Sequence, residues 1–323
     1  MTYFPYFRGK QFELIAVRES AAILAKNQFV PIIEPVRSDP AALRRAVLAM
    51  SEANGHVCVI INPAFGQRSS KAGTLSDLLG LPEHEIGPRV IAGVLATEYM
   101  DIAGVRNLLT SCENRDVMVI HDGFSQGRSL ADLAPGFPNW KTDVFIEETA
   151  GRLYRRHFMS APHAPQRRRV LIEDGFDRKR NRDYSGVSPF TELNVVYSDL
   201  GMDGFGDFLT VGNHYSDGGG PAYAVAIHLT FVSRDHEDSL FLEHFVSDSN
   251  DTPADPGGKF AQALEKLVAC ISDEPARFVE TTAINEFKEL YRRQHYPGLG
   301  YVKKLSMIHH METVAASLNR SIP

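Results

Sequence analysis

Cysteine is scarce in this chain of 323 residues, with Cys58, Cys112 and Cys270 the only three. They are odd in number and far apart, which excludes a disulfide framework and a Cys-x-x-Cys zinc ribbon and fits a reducing compartment. No apolar run approaches the ~20 residues that span a membrane. The opening Met1–Lys10 is aromatic where a secretory segment would be charged and then apolar. A cytoplasmic protein without a membrane span is expected. Positive charge is also in deficit, 34 Lys and Arg against 40 Asp and Glu. The net charge of -6 excludes a generally basic nucleic-acid coat and gives nucleic acid no support as a partner. Also missing are the phosphate loop Gly-x-x-x-x-Gly-Lys-Ser/Thr, the Gly-x-Ser-x-Gly elbow and a Gly-x-Gly-x-x-Gly after the first strand. The P-loop NTPase, α/β-hydrolase and dinucleotide-oxidoreductase readings therefore lose their basis.

What the chain does have is a series of short, β-branched apolar runs: Phe12–Val17, Phe29–Ile33, Val57–Ile61, Val90–Leu95, Val117–Ile120, Val144–Ile146 and Val170–Ile172, then Phe208–Val211 and Tyr223–Phe231. Apart from the first and last gaps they start about 26 to 33 residues apart, the length of one strand, loop, helix and loop. Most are continuous rather than alternating, as in parallel strands buried on both faces. Helical patterns lie between them, one opened by Pro40 with Asp39 placed to cap it, another over Thr97–Leu109. Eight or nine strands suit a closed barrel better than a doubly wound open sheet, which is the alternative. The expected fold is a TIM-like (β/α)8 parallel barrel with an irregular late insertion between Phe176 and Tyr223 and C-terminal helices. It is expected as a single domain over 1–323, with a barrel core across 11–246 and a helical segment, 257–319, packing on the barrel.

In a parallel barrel the loops after the strands build the active site. Here that rim reads as acidic: Glu34, Asn62, His121 with Asp122, Glu147 with Glu148, and Glu173 with Asp174 follow successive strands. Carboxylates gathered at one mouth raise one another's pKa or hold a divalent cation. Glu34, His121, Asp122, Glu147, Glu173 and Asp174 are thus the catalytic candidates and Asn62 a ligand-binding one. The alternative for each is a helix cap or loop hydrogen bond. Arg178-Lys-Arg180 and Arg182 follow the seventh strand, and Arg167-Arg-Arg169 precedes it. Such runs contact phosphates or form a solvated face; Arg178 and Arg182 are also placed to partner the rim carboxylates. His309 and His310 are adjacent in a helix and diverge by about 100°, so they do not ligate one metal together. One of the two can reach a site while its neighbour packs. His228, in Ala224-Val-Ala-Ile-His-Leu-Thr-Phe, reads equally as an interior residue or a base.

The opening Tyr6-Phe-Arg-Gly-Lys-Gln-Phe-Glu-Leu-Ile-Ala-Val-Arg-Glu19, with Val30-Pro-Ile-Ile-Glu-Pro35, resembles the start of the phage and bacterial beta-protein family. Gly218-Gly-Gly-Pro-Ala-Tyr-Ala-Val-Ala-Ile-His-Leu-Thr and Ile308-His-His-Met resemble its later blocks. The resemblance implies a barrel-type α/β protein of phage, mobile-element or anti-phage defence context, one branch being encoded beside a small nuclease-like protein. It implies a protein partner rather than a reaction, and points to Lys10, Glu13, Glu34 and the His309–His310 pair. Lys10 and Glu13 would bracket the entrance of the first strand or lie at the bottom of the barrel. Two functions follow: an accessory protein acting with a neighbouring-gene partner, or a metal-dependent, phosphodiesterase-like hydrolase whose acidic mouth holds Mg, Mn or Zn.

Overall fold

A computed structural model describes residues 2–69, 72–159, 167–218, 220 and 222–320. Gly219 and Pro221 of the glycine-rich run lie outside these. The chain gathers into two compact units, the first comprising Met1–Asp174 with Val196–Asp207 and the second Gly175–Val195 with Phe208–Pro323.

The first unit is the parallel barrel. Six of the apolar runs supply strands β2 (Ile32–Ile33), β3 (Val57–Ile60), β4 (Val90–Thr97), β5 (Val117–Asp122), β6 (Trp140–Ile146) and β7 (Arg168–Glu173). The first strand, β1, is Tyr6–Phe7. The expected strand at Phe12–Val17 is instead helical, part of α1 (Gln11–Glu19), which buries Glu13, Leu14, Ala16 and Val17 along one side. A short apolar run carries no period long enough to separate strand from helix. Gly9, at φ +61, turns the chain between the two.

Each of β1 to β7 pairs in parallel with the next. The barrel's eighth strand is β9 (Gly204–Asp207), paired with β7. It replaces the expected Phe208–Val211, of which Leu209–Val211 forms a 3-10 turn. A parallel bridge between Tyr3 and Phe205 closes the ring, with the Phe4 and Phe205 amides donating to Phe205 O and Thr2 O at 2.9 Å. The glycines of this strand serve that approach, since a Cβ on Gly206 would lie 2.1 Å from the Phe4 carbonyl oxygen. Around the barrel run α1, α2 (Ala21–Lys26), α3 (Ala41–Glu52), α4 (Leu75–Leu79), α5 (Ile102–Ser111), α6 (Gly127–Leu133) and α7 (Arg152–Met159). Asp39 accepts from the Ala41 amide at the head of α3, as expected. The run at Thr97 continues β4, and Asp101 caps α5 through the Gly104 amide.

In the second unit β8 (Gly186–Thr191), β10 (Ala226–Ser233) and β11 (Ser239–Val246) form an antiparallel sheet in the order β10-β11-β8. The barrel strands therefore end at Asp207, not near residue 246, and the run at Tyr223–Phe231 is antiparallel. Between β8 and β9 lies the single turn α8 (Leu193–Val196). Helices α9 (Pro256–Asp273) and α11 (Leu299–Arg320) pack on this sheet, and α10 (Thr282–Arg293) lies against both. No described helix is long and apolar enough to cross a membrane.

Because overpacking at a closed seam typically costs about 1–3 kcal/mol, Gly206→Ala is expected to lower the stability of the first unit by that order. Urea unfolding followed by Trp140 fluorescence, the single tryptophan reporting on the barrel, checks it. An unchanged midpoint would show that the seam tolerates the methyl group.

Candidate anion-binding site

Register decides what the barrel rim can do. Side chains alternate along a strand, and His121 on β5 lies at ring-contact distance from Tyr154 and Phe158 of α7. Odd-numbered β5 positions thus face the helices, and Asp122 faces the barrel interior. His121 is fully buried between Asp143, 3.1 Å from Nε2, and the Tyr154 hydroxyl, 2.8 Å from Nδ1. Burial lowers its pKa against the pull of Asp143, and burial followed by Asp143 raises that of Tyr154. A neutral imidazole accepting from a protonated phenol binds α7 to the sheet. Arg167 completes the network by donating to Asp143 at 2.9 Å while stacking on Trp140.

Glu34 is also fully buried. Its carboxylate accepts from the Tyr6 hydroxyl at 2.9 Å, from Arg8, and from the Ala64 and Phe65 amides at 2.7 and 3.3 Å. Burial and then Glu34 push the Tyr6 pKa well above its ordinary value, so Tyr6 stays a donor. Asp122 lies close enough to act electrostatically on both Tyr6 and Arg8, and Thr149 donates to it at 2.8 Å. Asn62 exchanges two hydrogen bonds with the Leu95 backbone, extending the ladder between β3 and β4. Glu147 pairs with Arg155 on α7, the Asp174 amide donates to Glu148, and Glu173 shares the register face of Asp207.

The seven rim residues therefore do not converge. Glu34 binds Arg8, on which Asp122 acts electrostatically, whereas His121 and Glu147 turn to the helix layer. Lys10 and Glu13 follow β1 and open α1, on the mouth side rather than at the strand's entrance or the barrel's bottom. Glu13 accepts from the Arg8 and Lys10 amides and has its pKa raised by burial against the pull of Lys10. Among the described residues no three His, Cys, Asp or Glu side chains are grouped to hold a metal ion.

A different site stands out within the second unit. The loop after Gly175 is pinned at several points. Phe176 and Tyr184 meet at 5.8 Å, and both pack against His228 at 5.1 and 4.8 Å. The Lys179 amide donates to the Tyr184 hydroxyl at 2.9 Å, and the Asn181 side chain donates to Ala224 O at 2.8 Å. Between these pins the loop presents Arg178, Lys179, Arg180 and Arg182 to a cavity of about 830 Å³, to which α11 adds Lys303. No Asp or Glu lines it among the described residues. Asp177 pairs with Lys179 at 2.7 Å and Asp183 with Arg182 at 3.8 Å, while Arg178 and Arg180 have no ion pair among the described residues. In a net acidic chain, five lining cations with no lining carboxylate among the described residues concentrate positive charge at one place. Arg178 and Arg182, expected to partner rim carboxylates, belong to this cavity.

In the cavity wall and behind it, His228 and His244 are held neutral. His228 Nδ1 lies 2.8 Å from His244 Nδ1, and His244 Nε2 lies 2.8 Å from Ser188 Oγ. Burial, then the partner histidine and Lys303, lowers His228 to about 3; burial and Lys179 lower His244 to about 4. His309 donates from Nε2 to Thr230 O at 2.7 Å, which leaves Nδ1 to accept from Thr281 at 2.8 Å. His310 pairs with the Thr230 hydroxyl at 2.7 Å. Both are fully buried, and both tie α11 to β10 through Thr230. The Arg178–Arg182 run is visible in the sequence, whereas chain distance hides its neighbours Lys303 and Tyr223. No protein-family model and no curated protein matches the chain.

Two outcomes are expected. Glu34→Ala leaves Arg8 buried without its partner and lowers stability by roughly 3–5 kcal/mol, measurable by urea unfolding; a variant as stable as its parent would refute the structural role. Unfolded histidines take up protons near pH 6.5, whereas folded His228, His244 and His309 resist until about 3 to 4. The unfolded state binds more protons in that window, so stability is complete above it and falls as pH drops from 6.5 towards 4. Each unit of depression is worth about 1.4 kcal/mol. Circular-dichroism melts across the range check this, and a constant midpoint would contradict it.

Proposed function

We propose that this chain is a binding protein whose second unit captures a phosphate-bearing anion in the Arg178–Arg182 cavity. The observation that carries the reading is the composition of the cavity wall, five Lys and Arg side chains with no carboxylate among them. Guanidinium groups suit this task because they remain charged and bind phosphate oxygens in pairs. The cavity volume falls in the range of small-ligand sites, roughly 300–1,000 Å³. A binding role agrees with the accessory function implied by the beta-protein resemblance, and action beside a protein encoded nearby is the wider setting proposed for it. The metal-hydrolase alternative draws less support, because Glu34 already accepts four hydrogen bonds and His121 faces the helices.

Calorimetric titration with inorganic tripolyphosphate tests the reading. Binding is expected to weaken with rising salt and to be unaffected by EDTA. Arg178→Ser combined with Arg180→Ser is expected to weaken it by about tenfold or more, as loss of charge-assisted hydrogen bonds does. Both positions are exposed, so the melting temperature should hold within a few tenths of a kcal/mol equivalent. Affinity equal to the parent's in the double variant would remove the cavity from consideration, and EDTA-sensitive phosphodiester turnover would favour the hydrolase.

A further inference from the structure

We infer that the anion bound in this cavity is a nucleoside phosphate, its phosphates on the Arg178–Arg182 loop and its base against the aromatic wall. The inference rests on the anion-binding reading and names its ligand class.

Volume comes first. A cavity of about 830 Å³ is many times larger than a phosphate group, so the ligand has a body as well as a charge. The wall opposite in chemistry to the cations describes that body. Tyr223 lines the cavity with 47% of its surface exposed, an amount of bare aromatic ring that inorganic polyphosphate leaves unused and a nucleobase covers by stacking. Phe176 and Tyr184 are largely buried and hold His228 rigidly in the same wall, so the surface is preformed.

Polar groups for a base edge are present too. His228 is bonded through Nδ1 to His244, and its Nε2 has no hydrogen-bond partner among the described residues. Asn181 spends its amide nitrogen on Ala224 O, which leaves the side-chain oxygen as an acceptor. With His228 and His244 held neutral, these atoms address an uncharged ring while Arg178, Arg180 and Lys303 address phosphate. The absence of a lining carboxylate argues against a cationic ligand such as a polyamine. A free nucleotide and a single strand of nucleic acid share this chemistry.

Three probes separate the possibilities: tripolyphosphate, ATP and a fluorescein-labelled oligothymidylate, each titrated against the full chain by calorimetry or anisotropy. The expected result is that ATP or the oligonucleotide binds at least about tenfold more tightly than tripolyphosphate, the contribution of one stacked base. Tyr223→Ala should erase that difference without weakening tripolyphosphate, and Tyr223→Trp, which keeps a stacking ring, should preserve it. Arg178→Ser with Arg180→Ser should weaken all three probes. Tightest binding of ATP identifies a free nucleotide as the source, and tightest binding of the oligonucleotide, with a steep salt dependence, identifies a strand. Equal affinity for all three together with a silent Tyr223→Ala overturns the inference and leaves the anion site standing. Failure of all three to bind overturns both.

Discussion

Two-residue alternation along the strands of a closed parallel barrel is the constraint on which the first unit depends. Neighbours in sequence go to opposite sides of one sheet, so His121 and Asp122 have separate fates. The first joins Asp143, Tyr154 and Arg167 in a buried network under α7, and the second faces the interior, where it acts electrostatically on Arg8. A buried charge survives only when paired and hydrogen-bonded. Glu34 meets that condition with two side-chain donors and two amides, and in doing so it joins β1, β2 and the loop after β3. The acidity of the barrel rim in the sequence is thus largely consumed by structure.

The second unit solves the opposite problem. The cations of the cavity wall are exposed, where like charges repel weakly, and burial holds His228, His244 and His309 neutral. Thr230 is the joint between strand and helix, its carbonyl accepting from His309 and its hydroxyl bonding His310. That joint fixes the register of α11 on β10, and with it the place of Lys303 along the cavity wall. The aromatic clasp of Phe176, Tyr184 and His228 fixes the loop that carries the other four cations. The site is therefore an outcome of packing at two places distant in sequence.

Most of the barrel was legible from spacing, because a strand, loop, helix and loop need a nearly constant length and six runs keep that period. The end strands were not. Phe12–Val17 is too short to show whether its period is two or 3.6, and it folds as a helix. The eighth strand, Gly-Phe-Gly-Asp, reads as a loop by composition. Its glycines are there because the Phe4 carbonyl passes where a side chain would be. The candidate site was half legible: Arg178-Lys-Arg180 and Arg182 stand out as a run, but a run alone does not distinguish a solvated face from a cavity wall.

Composition and periodicity by themselves determined that this is a globular α/β chain of parallel strands and crossover helices with further helices at the end, since these follow from local residue preference and the geometry of crossover units; closure into a barrel rather than an open sheet came with the pairing of Tyr3 and Phe205. Only the tertiary structure decided which rim residues face inward, that both helix histidines bond Thr230 of β10, and that Lys303 and Tyr223 stand in one wall with the basic loop. Those facts depend on register, closure and long-range contact, where a shift of one residue exchanges the two faces of a strand and residues more than a hundred positions apart become neighbours.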